Sequence, residues 1–475
     1  MKRVLVISYY WPPAGGSGVQ RWTKFSKYLP SEGWQPVIYT PENPELSSVD
    51  MTLLDDIPDE AEIIRRPILE PYGIYRRLMG SNASTDMKTL IGNDAANATG
   101  GEVNPISGGR KSWKQSLSLW VRGNLFIPDP RVWWLRPSVR FLKKYLKEHP
   151  VDAIVTTGPP QSMHLIGLRL HKATGIPWVA DFRDPWTKMF YYKHLHLSKA
   201  ADRKQHRLEK EVLDGASAVI SVTPLVQREF QEMTSTPVVL ITNGFDEDDY
   251  PEMPATGTDS LDKALEFRVT HTGLFAEDGN PLVLWDVLAD KCAADDVFKD
   301  ALRIRLIGKV DEAITAAIEA RGLGPNLVNL GYRPHNEAIA EQRNASLLIL
   351  PLRQEPEYRN VLPGKIFEYL AARRPVLGIG QEDGAAAQVL ADTRSGVMYN
   401  WDNAAGIRSA VDRAWSMHLA ALHASSTQGA IPDKDASSSA GRTPFPGFNP
   451  GGIERYTRRH LTHVLATLLD QLSSR

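Results

Sequence analysis

The chain has little of the chemistry that marks disulfide-bonded, metal-cluster or nucleic-acid-binding proteins. Its single cysteine, Cys292, excludes a disulfide framework and a cysteine metal cluster, and it is typical of a reducing compartment. The formal net charge of −1 over 475 residues gives no overall attraction to nucleic acid. No stretch approaches the roughly 18 consecutive apolar residues of a membrane-spanning helix. We therefore expect a cytoplasmic protein that binds no nucleic acid.

Short β-branched apolar runs recur along the chain, separated by helical patterns or loops. Before residue 250 they are RVLVISYY, QPVIYT, AEIIRRPI, DAIVTTG, PWVADF, SAVISVT and VVLITNG. After residue 265 they are FRVTHTG, LRIRLIGK, NLVNLGY, SLLILPL, RPVLGIG and GVMYN. Such alternation is typical of βαβ units and parallel sheets. The sequence therefore predicts an α/β protein of two Rossmann-like domains, whose parallel sheets face each other across a cleft.

Composition sets the expected domain boundaries. We predict an N-terminal domain over residues 1–250 and a C-terminal domain over 265–420. Residues 80–112 and 423–450 are rich in Ser, Gly, Asn and Ala and lack apolar periodicity. They cannot bury enough apolar area to offset the entropy of ordering, so we expect flexible segments there. Residues 451–475 have the pattern of a helix with one apolar face, expected to pack back across the cleft.

A glycine-rich loop, PPAGGSGVQR, follows the first predicted strand and precedes a helical pattern. Strand, glycine turn and helix form the usual phosphate-binding arrangement of α/β proteins. The dinucleotide fingerprint G-x-G-x-x-G fails here, because its third glycine is replaced by Arg21. Gly15 and Gly16 remain candidates for close approach of the backbone to a phosphate or sugar.

The strongest local signal is VLPGKIFEYLAARRPVLGIG over residues 361–380. A Pro-Gly turn opens a helix that carries Lys365 in its first turn and Glu368 three residues later. Exposed N–H groups and a lysine at a helix N-terminus favour an anion. A carboxylate one turn deeper can accept hydrogen bonds from the vicinal hydroxyls of ribose. Phosphate and ribose on one helical turn together indicate a nucleotide.

These motifs resemble the retaining GT-B glycosyltransferases of family 4. The matching pieces are PPAGGSGVQR, TGPPQSMH, ADFRDPW, ITNGFDEDDY, HTGLF and LPGKIFEYLAARRPVLGIG, in the family's order. The resemblance implies transfer of a sugar from a nucleoside-diphosphate sugar, without a metal or other cofactor. It implies a glycan or lipid-linked glycan acceptor, in the synthesis of a cell-surface polysaccharide. The donor-binding residues that it implies are Gly15, Gly16, Gly273, Pro363, Gly364, Lys365 and Glu368.

Two departures from the family pattern concern the charges around the donor. The family has a pair of glutamates eight residues apart, and Asn360 stands where the first would be. Many relatives carry two basic residues in the loop that here reads GLFAEDGNP. That loop has Leu274, Glu277 and Asp278 instead. Lys365 and the helix N–H groups are therefore expected to carry more of the diphosphate charge.

Polar residues near the ends of predicted strands are candidates for catalysis. Under the strand-end rule Asp181 and Asp184 point towards the ligand. His164 lies near the start of a helix that follows a strand, and we predict catalytic roles for all three. Arg183 and Arg21 are predicted to contact the acceptor or the loop. Alternatively, His164 bonds locally at a helix start, and Asp181 and Arg183 form a structural pair.

The segment from Arg110 to Lys147 contains ten Lys or Arg residues, interleaved with tryptophans, and a single acid, Asp129. Basic and aromatic residues together suit a surface of anionic lipid headgroups. We therefore expect contact with the inner face of the cytoplasmic membrane. Alternatively, the tryptophans are core residues and the charges form a solvated helix face.

The sequence thus predicts a glycosyltransferase with a nucleotide-sugar donor. Two other functions stay open at this point. One is a GT-B epimerase or hydrolase that acts on the nucleotide-sugar itself. The other is an inactive nucleotide- or glycan-binding protein, which the missing glutamate and basic pair would allow.

Overall fold

The computed structural model describes residues 1–44, 49–70, 120, 123–189, 192–250, 265–427, 445 and 447–474. The chain divides into two compact units. The first comprises Met1–Gly244 and Arg458–Arg475, and the second comprises Phe245–Thr457. The predicted insertion over residues 80–112 lies outside the described residues.

Each apolar run that the sequence predicts as a strand is a strand in the structure. The strands are β1 (Lys2–Ile7), β2 (Trp34–Pro41), β3 (Glu62–Arg66), β4 (Ala153–Gly158), β5 (Trp178–Phe182), β6 (Ala218–Ser221), β7 (Val238–Leu240), β8 (Phe267–Thr272), β9 (Leu302–Ile307), β10 (Leu327–Gly331), β11 (Leu347–Pro351), β12 (Val376–Ile379) and β13 (Gly396–Tyr399).

Helices follow most of the strands. They are α1 (Ser17–Tyr28), α2 (Leu135–Glu148), α3 (Ser162–Thr174), α4 (Lys199–Gly215), α5 (Pro224–Met233), α6 (Leu282–Ala294), α7 (Asp296–Ala301), α8 (Glu312–Glu319), α9 (His335–Arg343), α10 (Gly364–Ala372), α11 (Ala385–Thr393), α12 (Ala404–Thr427) and α13 (Arg458–Ser473).

The first unit is built on a seven-stranded parallel sheet in the order β3-β2-β1-β4-β5-β6-β7. All residues of β4 and β5 are buried, because helices cover both faces of the sheet. The order reverses direction between β1 and β4. Open α/β sheets bind their ligands at the carboxyl ends of the strands beside such a switch point.

The second unit is built on a six-stranded parallel sheet in the order β10-β9-β8-β11-β12-β13. Its switch point lies between β8 and β11. Both units are therefore doubly wound α/β structures, which confirms the predicted pair of Rossmann-like domains.

The last helix, α13, belongs to the first unit, where it packs against α1. Its apolar face (Leu461, Leu465, Leu468 and Leu469) joins a core cluster with Trp22 and Phe25 of α1. Lys2 of β1 donates a hydrogen bond to Asp470 at 2.7 Å. The apolar residues that recur at helical spacing in the sequence therefore form the face by which α13 packs against α1.

The described ends of the predicted flexible linker over residues 423–450 are structured, which corrects that expectation for them. α12 continues to Thr427. Phe445 is 1% exposed in the core of the second unit, and Phe448 pairs with Ser395 in an isolated β-bridge. An aromatic side chain buries a large apolar area, which holds Phe445 in this core.

Candidate functional site

The loop after β1 is shaped by glycine. Gly16 has φ of 107° and ψ of 164°, a backbone conformation that is nearly confined to glycine. α1 begins at the next residue without a side-chain cap. Uncapped N–H groups and the positive end of the helix macrodipole both favour an anion. The geometry suits the close backbone approach predicted for Gly15 and Gly16.

Arg21 lies behind this loop and is fully buried. Its Nε and Nη2 donate to the Asp181 carboxylate at 3.1 and 2.9 Å. Its remaining N–H groups donate to the carbonyls of Ile241 and Thr242 and to the side-chain oxygen of Asn243. These five bonds use all five donors of the guanidinium. Of the two contacts predicted for Arg21, the acceptor or the loop, the structure shows a contact with the loop after β7.

Asp181 is equally buried and its carboxylate is saturated. Besides Arg21, it accepts hydrogen bonds from Trp22 Nε1 at 2.7 Å and from Thr157 Oγ1 at 3.1 Å. Burial by itself would raise the pKa of Asp181, but the charge and hydrogen bonds of Arg21 hold it below its ordinary value. A carboxylate that accepts from four donors has no lone pair left for a substrate. The predicted catalytic role of Asp181 is therefore wrong, and its role is structural.

His164 is also in the core. Its ring stacks on Phe182, and its Nδ1 lies 2.9 Å from Thr156 Oγ1. Burial lowers its pKa to about 3, so the imidazole is neutral at physiological pH. The side chain has no exposed surface. His164 therefore cannot exchange protons with a substrate, which corrects the second predicted catalytic role.

Arg183 and Asp184 lie at the carboxyl end of β5. Arg183 donates through Nε to the Gly158 carbonyl at 3.2 Å and through Nη2 to the Pro159 carbonyl, so it fixes the loop after β4. Asp184 is half-buried, and burial raises its pKa to about 6. No hydrogen bond to its carboxylate is found in the described part of the chain. Of the three predicted catalytic residues, Asp184 alone keeps a free carboxylate near the surface.

A cavity of about 80 Å³ lies beside these strand ends in the first unit. Its walls are aromatic side chains, prolines and a few polar groups, among them Tyr10, Phe126, Asp129, Arg131, Pro159, Pro160, Gln161, Trp186, Tyr192 and Gln205. Gln161 is 7% exposed, and its Oε1 has no hydrogen-bond partner among the residues that the structure describes. A buried acceptor without a partner, in a cavity of aromatic rings, suits a ligand that carries both hydroxyls and apolar faces.

In the second unit, the carboxyl end of β8 meets the start of α10. Gly273 follows β8 with φ of 97°, and a Cβ at this position would lie 3.5 Å from Lys365 Cε. Lys365 Nζ donates to the Leu274 carbonyl at 3.0 Å and lies 3.3 Å from His271 Nε2. α10 has no side-chain cap at Pro363. Lys365 and the uncapped first turn of α10 thus place positive charge at the end of β8.

His271 supports Lys365 as a neutral acceptor. Burial, together with the charge of Lys365, lowers the pKa of His271 well below its ordinary value. Its Nδ1 lies 3.2 Å from the Ile349 carbonyl, so the single ring proton is on Nδ1, which donates a hydrogen bond to that oxygen. Nε2 is then free to accept a hydrogen bond from Lys365.

Glu368 lies one turn after Lys365 and is half-buried. Its Oε2 accepts a hydrogen bond from Gln342 Nε2 at 2.8 Å. The same amide nitrogen donates to Thr272 Oγ1 at 2.9 Å, and Tyr369 OH accepts from Thr272 N at 3.0 Å. Thr272 immediately precedes Gly273, so the predicted donor residues of this unit converge on one strand end.

The acidic loop after β8 has a counter-charge that the sequence did not reveal. Asp278 Oδ2 lies 3.0 Å from Nη1 of Arg353, which is 1% exposed. Arg359 is half-exposed and pairs with Asp383 at 2.8 Å. Asn360 closes the turn that follows β11 and is half-buried. Arg353 is thus paired with Asp278, whereas the Lys365 ammonium lies at the end of β8.

The described part of the basic segment over residues 110–147 is divided between core and surface. Trp134 is buried and donates to the Pro67 carbonyl at 3.1 Å, whereas Trp120 and Trp133 are 44% and 45% exposed. The exposed residues of α2 are mostly basic: Arg136, Arg140, Lys143, Lys144 and Lys147. Trp113 and Arg110 lie outside the described residues.

No group of three or more His, Cys, Asp or Glu side chains within the described ranges is arranged to hold a metal ion. Within the same residues, no helix combines the length and apolarity of a membrane span.

Two family models match the sequence. Residues 106–249 match the model for Glycosyltransferase Family 4, and residues 267–416 match the model for Glycosyl transferases group 1. The first match falls in the first unit up to its boundary region, and the second falls in the second unit. Together they cover more than half of the chain. No curated protein matches the sequence.

Solved structures share the fold. The chain is similar over 100% of both lengths to the sucrose-phosphate synthase of Thermosynechococcus elongatus, with a TM-score of 0.58 and 15% identity. It is similar to the α,α-trehalose 6-phosphate synthase of Burkholderia multivorans, with a TM-score of 0.53, 12% identity, and 100% and 99% of the two chains covered. A lipopolysaccharide outer core galactosyltransferase gives a TM-score of 0.51 at 11% identity, over 99% and 100% of the two chains. At these identities the likeness shows the fold alone.

Proposed function

This chain belongs to the GT-B glycosyltransferases of the family 4 and group 1 kind, and from that premise we propose a retaining enzyme with a nucleoside-diphosphate sugar donor. The acceptor is a glycan or lipid-linked glycan in the synthesis of a cell-surface polysaccharide. One observation carries the proposal: Lys365 and Glu368 lie one helical turn apart on α10, against the carboxyl end of β8.

The donor nucleotide is held by the second unit. Its diphosphate lies at the uncapped first turn of α10, where Lys365 and the N–H groups of Gly364 and Lys365 supply positive charge. Gly273 keeps the space beside Lys365 open, because a side chain there would contact the lysine. Glu368, one turn deeper, accepts hydrogen bonds from the ribose hydroxyls.

The reaction exchanges one bond at the anomeric carbon. The bond from that carbon to the phosphate oxygen breaks, and a bond to the acceptor oxygen forms on the same face. The acceptor hydroxyl gives its proton to the leaving diphosphate. Negative charge that develops on the diphosphate is stabilised by Lys365 and the helix amides, so we propose that no metal is required.

Removing the ribose contact tests the proposal directly. Glu368→Ala is expected to weaken binding of nucleoside diphosphate by about 1–3 kcal/mol, because hydrogen bonds to a carboxylate are charge-assisted. Calorimetry with UDP, GDP and ADP measures the affinity of each variant. Glu382→Ala, in the same unit and exposed, is the control. Equal affinity of Glu368→Ala and the wild type would exclude Glu368 from the site.

The acceptor is proposed to bind in the first unit. The cavity lined by Tyr10, Trp186 and Tyr192 has the aromatic walls on which sugar rings stack, and Gln161 Oε1 is an unused acceptor for a hydroxyl. Asp184 lies at the adjacent strand end with a free carboxylate. We propose that Asp184 accepts a hydrogen bond from a second hydroxyl of the acceptor and so positions the attacking hydroxyl, whose own proton goes to the diphosphate.

The pH dependence of kcat/KM follows from the raised pKa of Asp184. Only the carboxylate accepts strongly from a hydroxyl, so kcat/KM is expected to rise through pH 6 and level off above it. Asp184→Asn is expected to lower kcat/KM by about tenfold to a hundredfold and to remove the inflection. The exposed Asp59 supplies the control substitution, Asp59→Asn. An unchanged profile in Asp184→Asn would show that another group titrates.

We further propose that the enzyme works in the cytoplasm and contacts the inner face of the membrane through α2. The exposed basic face of this helix and the half-exposed Trp133 beside it suit anionic headgroups. This contact would bring a lipid-linked acceptor to the first unit.

Vesicle binding tests the membrane contact. Lys143→Gln with Lys144→Gln is expected to weaken partitioning onto phosphatidylserine vesicles by about 1 kcal/mol per charge removed. Sedimentation with vesicles at low salt measures it. The control removes two exposed charges of the second unit, Lys299→Gln with Lys309→Gln. Identical partitioning of the α2 variant and the wild type would rule the contact out.

A further inference from the structure

Gln342, on α9, links that helix to the carboxylate of Glu368 by a hydrogen bond. The Gln342 side chain is fully buried. Both protons of its amide nitrogen are used, one on Glu368 Oε2 at 2.8 Å and one on Thr272 Oγ1 at 2.9 Å. The reversed amide would turn an oxygen towards the carboxylate, so the network fixes the orientation of the amide.

Thr272, the second residue to which the Gln342 amide donates, is itself held in place. Thr272 is the last residue of β8, and its N–H donates to the hydroxyl of Tyr369 at 3.0 Å. Tyr369 follows Glu368 on α10 and is fully buried. The carboxylate is therefore tied through Gln342 to a strand end that is itself tied to the next residue of α10. This closed ring of contacts leaves the Glu368 side chain little freedom to rotate.

A half-buried glutamate normally loses side-chain entropy when it meets a ligand. Here Gln342 has already ordered Glu368, with Oε2 occupied and Oε1 left for a hydroxyl. A pre-ordered acceptor discriminates strongly between a ligand that supplies the hydroxyl and one that lacks it. Ribose supplies two vicinal hydroxyls, and 2′-deoxyribose supplies one.

We propose that Gln342 is a positioning residue, which holds Glu368 and thereby selects ribonucleoside diphosphates over their 2′-deoxy counterparts. The inference rests on the proposed function, since it needs a nucleotide at α10. It makes the donor a UDP-, GDP- or ADP-sugar rather than a dTDP-sugar.

The test compares affinities for UDP, GDP and ADP with those for the three 2′-deoxy analogues by calorimetry. The wild type is expected to prefer at least one ribonucleotide by about tenfold or more. Gln342→Met keeps the side-chain volume and removes both donors. In this variant the preference for the ribonucleotide over its 2′-deoxy analogue is expected to fall to about threefold or less. Gln388→Met is the matched control, because exposed Gln388 also donates to a carboxylate, that of Asp392.

The ratio of the affinities for ribonucleotide and 2′-deoxynucleotide distinguishes a positioning role of Gln342 from a purely structural one. A structural role would weaken both nucleotides equally and leave the ratio at its wild-type value, which would overturn the inference. Gln342→Glu, which places a second carboxylate beside Glu368, provides the same readout if Gln342→Met does not fold. A wild type that binds ribonucleotides and 2′-deoxynucleotides equally overturns the inference alone. A wild type that binds none of the six overturns the proposed function as well.

Discussion

Arg21→Met is expected to lower the free energy of unfolding by about 3–5 kcal/mol, because it leaves the Asp181 carboxylate buried without its counter-charge. Both side chains are fully buried and joined by two hydrogen bonds. Arg21 also satisfies the carbonyls of Ile241 and Thr242 beyond β7. Its loss therefore leaves orphaned acceptors as well as an orphaned charge.

Denaturant unfolding of the full chain measures this effect, with Arg203→Met as the control at an exposed position of α4. Arg21→Met with Asp181→Leu is expected to recover part of the loss, because no charge is then left buried. Recovery is incomplete, since Trp22 Nε1 and Thr157 Oγ1 still lose their acceptor. A loss below about 0.5 kcal/mol in Arg21→Met would contradict the structural role, since that is the usual range of surface substitutions.

Lys365→Met is expected to lower kcat for sugar transfer by about a hundredfold to a thousandfold. The lysine is held at the end of β8 by the Leu274 carbonyl and His271 Nε2, so its charge is ordered before the donor binds. The charge of the leaving diphosphate grows as the sugar bond breaks, so the lysine stabilises the transition state more than the bound donor. The effect should therefore fall on kcat more than on KM.

Initial rates with a saturating nucleotide-sugar measure this loss. Lys299→Met is the matched control, because exposed Lys299 lies on α7, before the amino end of β9 and at the opposite edge of the same sheet. Lys365→Arg is expected to restore part of the rate, since it keeps the charge. Wild-type kcat in Lys365→Met would remove the lysine from the chemistry.

The sequence predicted the fold well because apolar periodicity is a local property. Buried parallel strands need continuous apolar runs, and runs such as DAIVTTG and SLLILPL became β4 and β11. The helix start at α10 was equally readable, because Pro363 and Gly364 open it and Lys365 follows. Local signals were therefore sufficient to predict the strands, their division between two domains, and the candidate residues at the start of α10.

The sequence predicted the roles of the first unit's polar residues less well, because the burial of a side chain depends on residues that are distant in the sequence. Asp181 follows the strand-end rule in position, yet its carboxylate faces Arg21, 160 residues earlier in the chain. His164 was predicted to act on the ligand, but its ring stacks on Phe182 and bonds to Thr156 in the core. Nothing in ADFRDPW or TGPPQSMH distinguishes a carboxylate or imidazole that faces the core from one that faces a ligand.

The residues that support the donor site were missed for the same reason. Gln342 is 26 residues from Glu368, and His271 is 94 residues from Lys365. Gln342 lies in no recognisable motif, and α9 carries a pattern that any surface helix shares. The one available signal was His271 in HTGLF, directly before the glycine that was predicted to bind the donor.

The central claim is that this chain moves a sugar from a nucleoside-diphosphate donor to an acceptor hydroxyl. The most direct measurement is release of nucleoside diphosphate from UDP-, GDP- and ADP-sugars, with and without a panel of glycan and lipid-linked glycan acceptors. We expect release that depends on an acceptor, with the anomeric configuration of the donor retained in the product by NMR. Release that is equal without any acceptor would identify a hydrolase, and binding without release from any donor would identify a nucleotide-binding protein. Either result would contradict the account.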